Sequence, residues 1–162
     1  MEDNPRIPRY KISLVREGSI DVGDYRTLSH AEAAANVFRK LFEGSDREIF
    51  AIATLDSKNK IIGVNICTMG TLNMSLVSMR EAMKLAVLQN AAAIIHAHNH
   101  PSGVSDPSAE DHNSHKKLVA AGEIMGVRVL DGLILGEKDF FTMSTGMKTK
   151  WPDNAPFTAE WE

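Results

Sequence analysis

One cysteine, Cys67, is the whole thiol inventory of this 162-residue chain, which excludes an internal disulfide and fits a reducing compartment. No apolar run approaches the roughly 18 residues that a membrane-spanning helix requires, so no membrane partner is expected. The first residues also lack the basic, then apolar, then small-residue layout of a secretory signal, and the expected location is cytoplasmic. An excess of positive charge is missing as well. The 18 lysines and arginines stand against 21 aspartates and glutamates, leaving a net charge of −3. The denser basic spots, Arg39-Lys40, Lys116-Lys117 and Lys148 with Lys150, are short and isolated. Nucleic-acid binding usually shows as a basic patch or stripe, so nucleic acid is a disfavoured partner.

What the chain does hold is 43% hydrophobic residues, enough for one core, and its length argues for a single domain. Tyr10 to Val15 alternates like a strand, Glu17-Gly18-Ser19 turns, and Ser29-His30-Ala31-Glu32 has the form of a capping box opening a helix to about Phe42, closed by Gly44. Ile49 to Leu55 and Ile61 to Met69 form a hairpin across Asp56-Ser57-Lys58-Asn59-Lys60, and Leu72 to Val77 is a further extended piece. Met79 to Gln89 is an amphipathic helix with Met79, Met83, Ala86 and Val87 on its apolar side. Met79, Met83 and Met125 are expected as core filler, and Cys67 as a small buried hydrophobe rather than a nucleophile, since no base stands near it in sequence. After a helix closed by Gly126, Val127 to Leu130 and Leu133 to Leu135 supply further strands. The expected fold class is α/β, a mixed β-sheet flanked by helices. Residues 1–9, with Pro5 and Pro8, form an arm, and 148–162 a tail holding Trp151 and Trp161. That tail docks on a neighbouring subunit, packs on its own domain, or stays loose.

The densest chemistry lies in His98-Asn99-His100-Pro101-Ser102-Gly103 and Pro107-Ser108-Ala109-Glu110-Asp111. Ala91 to Ile95 is a short buried strand leading into it, and alternation along a strand sets His98 and His100 side by side. Pro101 stops the strand, Ser102-Gly103 makes a loop, and Ser108 is the N-cap of the next helix, with Asp111 in its first turn. His98, His100 and Asp111 so placed suit a zinc ion whose fourth position is left to water, the pattern of catalytic zinc. Blander readings compete. A half-buried strand carries polar residues for many reasons, and Ser108-x-x-Asp111 is also a capping box. His96 shares the parity of His98 and is expected in the core, while His112 and His115 are expected on solvated helix surface.

His98-x-His100-Pro101 with Ser108-x-x-Asp111 resembles the JAMM (MPN+) metalloprotease motif, and the longer string through Ser102-Gly103 and Pro107 is similar to its bacterial RadC branch. The likeness runs from about Asp46 to Met147, through Arg47-Glu48-Ile49-Phe50, Leu55-Asp56, Gly70-Thr71-Leu72-Asn73, Arg80-Glu81 and Val129-Leu130-Asp131. It implies a single JAB/MPN domain, cytidine deaminase-like in architecture, over residues 10–147 with its core at 46–147. Longer RadC-like proteins carry a helix-hairpin-helix region before this domain. Only about 45 residues precede Asp46, and no second domain or repeat is legible in them.

The resemblance also implies roles. His98, His100 and Asp111 would bind one zinc per chain, Glu48 would be the general acid/base, and Ser108 would hydrogen-bond the attacking water or the developing oxyanion. From its local sequence alone, Glu48 is one solvated charge in Ser45-Asp46-Arg47-Glu48. Three departures from the family pattern stand out: Met79 where proline is usual, Gly132 where histidine is usual, and His115 where threonine is frequent. The leading functional expectation is a zinc-dependent hydrolase cleaving an amide or isopeptide bond in a peptide or protein conjugate. The alternatives are a metal-dependent DNA-processing or DNA-repair accessory protein and a zinc-stabilised interaction module without turnover. A homodimer through strand edges or the tryptophan tail completes the expected partners.

Overall fold

The structure, a computed structural model, describes residues 6–70 and 77–152. Its centre is a six-stranded sheet in the order β2-β1-β3-β4-β5-β6, with β1 Glu48–Leu55, β2 Ile61–Gly70, β3 Ala93–Asn99, β4 Arg128–Leu135, β5 Asp139–Thr142 and β6 Met147–Lys150. Only β3 and β4 run parallel, so the sheet is mixed, as expected. Helix α1, Ala31–Leu41, covers one face, while α2, Met79–Leu88, and α3, Ala109–Met125, cover the other. The architecture is the α/β class expected, a mixed sheet flanked by helices.

β1 and β3 are buried on both faces because each lies inside the sheet with helices above and below. Ile49, Ala51, Ala53 and Leu55 meet Ala33, Ala34, Val37 and Phe38 of α1. Phe50 and Ile52 point the opposite way, to Ala82, Met83 and Ala86 of α2 and Leu118 of α3. The β1–β2 hairpin closes where Asp56 Oδ1 accepts the amides of Lys58 and Lys60 at 2.8 and 2.9 Å and Asn59 takes a left-handed φ of 58°. Gly126 ends α3 in the left-handed region, φ 70°, where its amide meets the last carbonyls of the helix. Among the described residues no helix is long and apolar enough to cross a membrane.

Several expectations are corrected. Tyr10 to Val15 is not a strand: residues 6–19 are exposed, with Ile12 and Val15 at 74% and 90%. Alternation shows only that one face wants cover, and no neighbouring strand supplies the ladder bonds. The α1 N-cap is His30, with no side-chain bond to the helix amides; Ser29 Oγ lies 2.9 Å from His30 Nδ1 instead. Val127 to Leu135 holds one strand rather than two; the Asp131 carboxylate accepts from the amides of Gly132 and Ser144 and from Ser144 Oγ, so β4 passes a polar pair unbroken. Met125 and Val87 are 50% and 43% exposed, on the sides of their helices away from the core. Of the extended piece 72–77, all but Val77 lies outside the described residues.

The last two strands were not anticipated. β6 takes residues 148–150 into the sheet, so the expected tail begins within a strand. Trp151 packs on its own domain: its ring lies 4.9 Å from that of Phe140, its Nε1 donates to Gly136 O at 3.1 Å, and the Arg39 guanidinium sits 4.5 Å above it.

Candidate metal centre

Sheet alternation decides which side the chemistry faces. Ala93, Ile95 and Ala97 of β3 pack toward α1, so Ile94, His96 and His98 face α2 and α3. His98 is 1% exposed. His100 follows just beyond the strand end, and α3 returns across the sheet with Asp111 buried in its first turn. His98 Nε2 lies 3.0 Å from His100 Nε2 and 3.2 Å from Asp111 Oδ1, and His100 Nε2 lies 3.5 Å from Asp111 Oδ2. β1 supplies the fourth group. Phe50 pairs with His98 in the antiparallel register, which brings Glu48 toward His100. One donor atom from each of Glu48, His98 and His100 falls within 4.8 Å of the others.

A tetrahedral zinc with bonds of about 2.0–2.2 Å sets its ligand atoms about 3.3–3.5 Å apart. The donor separations here, 3.0 to 3.5 Å, fit that ion. The hydrogen bonding of His100 fits too. Its Nδ1 lies 2.7 Å from Val104 O, and a carbonyl only accepts, so Nδ1 carries a hydrogen, and loss of the second proton, which the protonated ring gives to Asp111, would free the Nε2 lone pair for a metal.

Asp111 serves the helix and the cluster at once. The Ser108 amide donates to Asp111 Oδ2 at 2.7 Å, and the Asp111 amide donates to Ser108 Oγ at 3.1 Å, while Oδ1 faces His98. The capping-box reading and the ligand reading are therefore compatible. Burial pushes the Asp111 carboxyl up, but hydrogen bonds from His100, His98 and the Ser108 amide outweigh it and hold the group well below the usual carboxylate range. The same bond to Asp111 raises His100 against the opposing effect of burial. Cys67 packs against the second core, and burial pushes its thiol up to about 12, so it stays an inert hydrophobe.

Asn99 was missed as an individual contributor. Its side chain points to the α1 side, where Oδ1 accepts the Ile49 amide at 2.6 Å and Nδ2 donates to Arg47 O at 2.9 Å. Those two bonds straddle Glu48 and tie its backbone to the histidine strand. Asn99→Ala is expected to leave the metal ligands intact, cost about 1–3 kcal/mol through the buried amide it strands, and lower any Glu48-dependent activity. Thermal unfolding and metal content, measured together, check this.

Two departures from the family pattern meet in space. His115 is not solvated helix surface: its Nδ1 lies 2.8 Å from Nε2 of His96, which is buried as expected. Gly132, paired with His96 across β3 and β4, leaves the room, since a Cβ there would lie 2.4 Å from His96 Nε2 and 2.8 Å from His115 Nδ1. Gly132→Ala is accordingly expected to destabilise the fold by about 1–3 kcal/mol, read as a lower unfolding midpoint. His112, by contrast, is exposed and turns the edge of its ring to Phe141.

Donors converging from a strand end, the helix that follows and the neighbouring strand mark a JAB-type domain with a candidate metal centre. The model of the RadC-like JAB domain family matches residues 28–149, and the chain belongs to that family. Similar proteins include a UPF0758 protein of Alkaliphilus oremlandii, 38% identical over 122 residues that make up 75% of this chain and 52% of the relative. Another is a UPF0758 protein of Desulforudis audaxviator, 38% identical over 136 residues, 83% of this chain and 59% of the relative. A third, from Moorella thermoacetica, is 46% identical over 98 residues, 60% and 43% of the two chains. The chain thus spans about half the length of the curated relatives it matches.

Proposed function

We propose that this domain is a zinc-dependent hydrolase of the JAMM type, cleaving an amide or isopeptide bond in a peptide or protein conjugate. The observation that carries the reading is the convergence of Glu48, His98, His100 and Asp111 from three separate elements. Such a set costs stability, since it gathers polar groups, with His98 and Asp111 buried, and arrangements of this kind concentrate at functional sites. Zinc held by His98, His100 and Asp111 would supply a water acidified toward a pKa of about 7 and a Lewis acid for the scissile carbonyl. The Glu48 carboxylate takes a proton from the attacking water and delivers it to the leaving nitrogen. Ser108 Oγ accepts the Asp111 amide, which leaves its own hydrogen to donate to the oxygen where negative charge develops. The proposed setting is the cytoplasm, where the single cysteine stays reduced.

A DNA-processing role finds less support, because the net charge of −3 comes with basic spots that are short and isolated in the sequence. Elemental analysis of untagged protein tests the reading. About one zinc per chain is expected in the wild type, and none in His98→Ala. Metal-free wild type that stays folded and cannot be reconstituted would overturn it. A screen of fluorogenic peptide and isopeptide conjugates then identifies the bond.

A further inference from the structure

We propose that the His96–His115 imidazole pair is a positioning clamp that holds α3 against β3 and thereby sets the separation of Asp111 from His98. The inference rests on the metal-centre reading above.

It starts from what fails to hold the front of α3. In its first nine residues the buried side chains are Asp111 and Ser114, both polar, and buried apolar anchoring begins only at Leu118. Hydrophobic burial, the usual means of seating a helix on a sheet, is therefore weak where Asp111 must be placed most accurately.

Two polar rungs stand in its place. One joins His98 to Asp111 and the other joins His96 to His115, the same two elements in both cases. Two residues of strand advance by about 6.6 Å and four residues of helix by about 6 Å, so the rungs are matched in spacing. The order is reversed along the strand and the helix, as it must be for a helix that returns between parallel strands β3 and β4. His96 is itself fixed from the far side by the Phe50 ring, 5.5 Å away between centroids, and Gly132 opens the space in which the rings meet. The pair is not a second metal site on this geometry. Among the described residues, the donors gathered closely enough for an ion include Glu48, His98 and His100, with Asp111 beside them, and neither His96 nor His115.

The atoms used predict which substitutions preserve the clamp. His115 engages through Nδ1, a position that an asparagine amide approximates, whereas alanine removes the group altogether. Cobalt(II) binding should therefore be titrated by chelator competition and by visible absorption in the wild type, His115→Ala and His115→Asn. His115→Ala is expected to bind cobalt about 10–100-fold more weakly with an altered spectrum, as for loss of an outer partner of a ligand, and His115→Asn to recover most of that loss. A merely structural role would lower the unfolding midpoint of both variants and leave the cobalt spectrum unchanged.

Amide hydrogen exchange of the metal-free proteins reads the clamp without any ion. His115→Ala should speed exchange along the front of α3 relative to the wild type, and His115→Asn should not. Unchanged exchange in folded His115→Ala overturns the clamp. Wild type that binds no cobalt overturns the metal-centre reading instead, so the two failures are distinguishable. If both variants fail to fold, the milder His96→Gln, which places an amide near the Nε2 position, serves as the rescue arm in the same two measurements.

Discussion

Asp111→Ala is expected to release the metal completely and to lower the stability of the metal-free protein by about 1–2 kcal/mol. Both losses have the same origin. The carboxylate closes the capping box of α3 by accepting the Ser108 amide, and it also faces the Nε2 atoms of His98 and His100. Alanine strands an amide at the helix start and leaves two imidazoles without the carboxylate they face, one of them 1% exposed. For a chain of this size the unfolding midpoint should fall by a few degrees. Asp111→Asn separates the two roles: its amide oxygen still accepts the Ser108 hydrogen bond, so most of the metal-free stability should return, while the neutral side chain binds zinc poorly. Thermal unfolding of the metal-free proteins, paired with elemental analysis, checks both halves. Metal retained at wild-type level in Asp111→Ala would remove Asp111 from the ligand set and leave it a helix cap alone.

The convergence of His98, His100 and Asp111 was legible because its pieces are local. His98 and His100 are two residues apart on a strand, and Ser108 and Asp111 are three apart at a helix start, spacings with one geometric meaning each. Glu48 became visible through family resemblance, since its local sequence is simply charged. What escaped the reading is non-local. Asn99 acts on Arg47 and Ile49, about fifty residues away, through a strand register that sequence does not display. The His96–His115 contact needs the absence of a side chain at Gly132, on yet another strand. β5 and β6 are four residues each, too short for a pattern, and Trp151 beside Pro152 has the look of a tail. Tyr10 to Val15 failed in the opposite sense: the pattern is clear, but a strand also needs a neighbour.

These non-local contacts share a purpose, which is to bring three elements to one point. β3 carries the histidines, α3 brings Asp111 to them, and β1 brings Glu48. Each junction has its own polar fastening: His96–His115 between β3 and α3, and Asn99 with Arg47 and Ile49 between β3 and β1. The loop from Pro101 to Pro107 is fastened as well, by Ser105 Oγ donating to Asp139 and by the Glu137 amide donating to Gly103 O at 2.9 Å. That last bond steadies the segment whose Val104 carbonyl orients His100. A centre placed to ångström tolerance by three elements requires such outer contacts, because donors misplaced by 1 Å lose much of their effect.

Glu48→Gln is expected to keep the metal and abolish turnover, with kcat falling about 100- to 10,000-fold. The geometry leaves Glu48 two chemical roles. Its carboxylate stands close enough to His98 and His100 to be a fourth ligand, which would close the coordination shell in the manner of a structural zinc site. Alternatively it stands one water away, the place of a general base, and the fourth position stays open for substrate. Glutamine has nearly the same shape but carries no proton-accepting carboxylate and is a poor zinc ligand, so the substitution separates the roles. A base predicts wild-type zinc content with turnover lost; a fourth ligand predicts weakened metal binding in the same variant. His98→Ala provides the contrast, since loss of a ligand should remove the ion under either role. Zinc content and kcat, measured on one preparation of each variant, decide the matter, and a Glu48→Gln protein with undiminished turnover would take Glu48 out of the reaction.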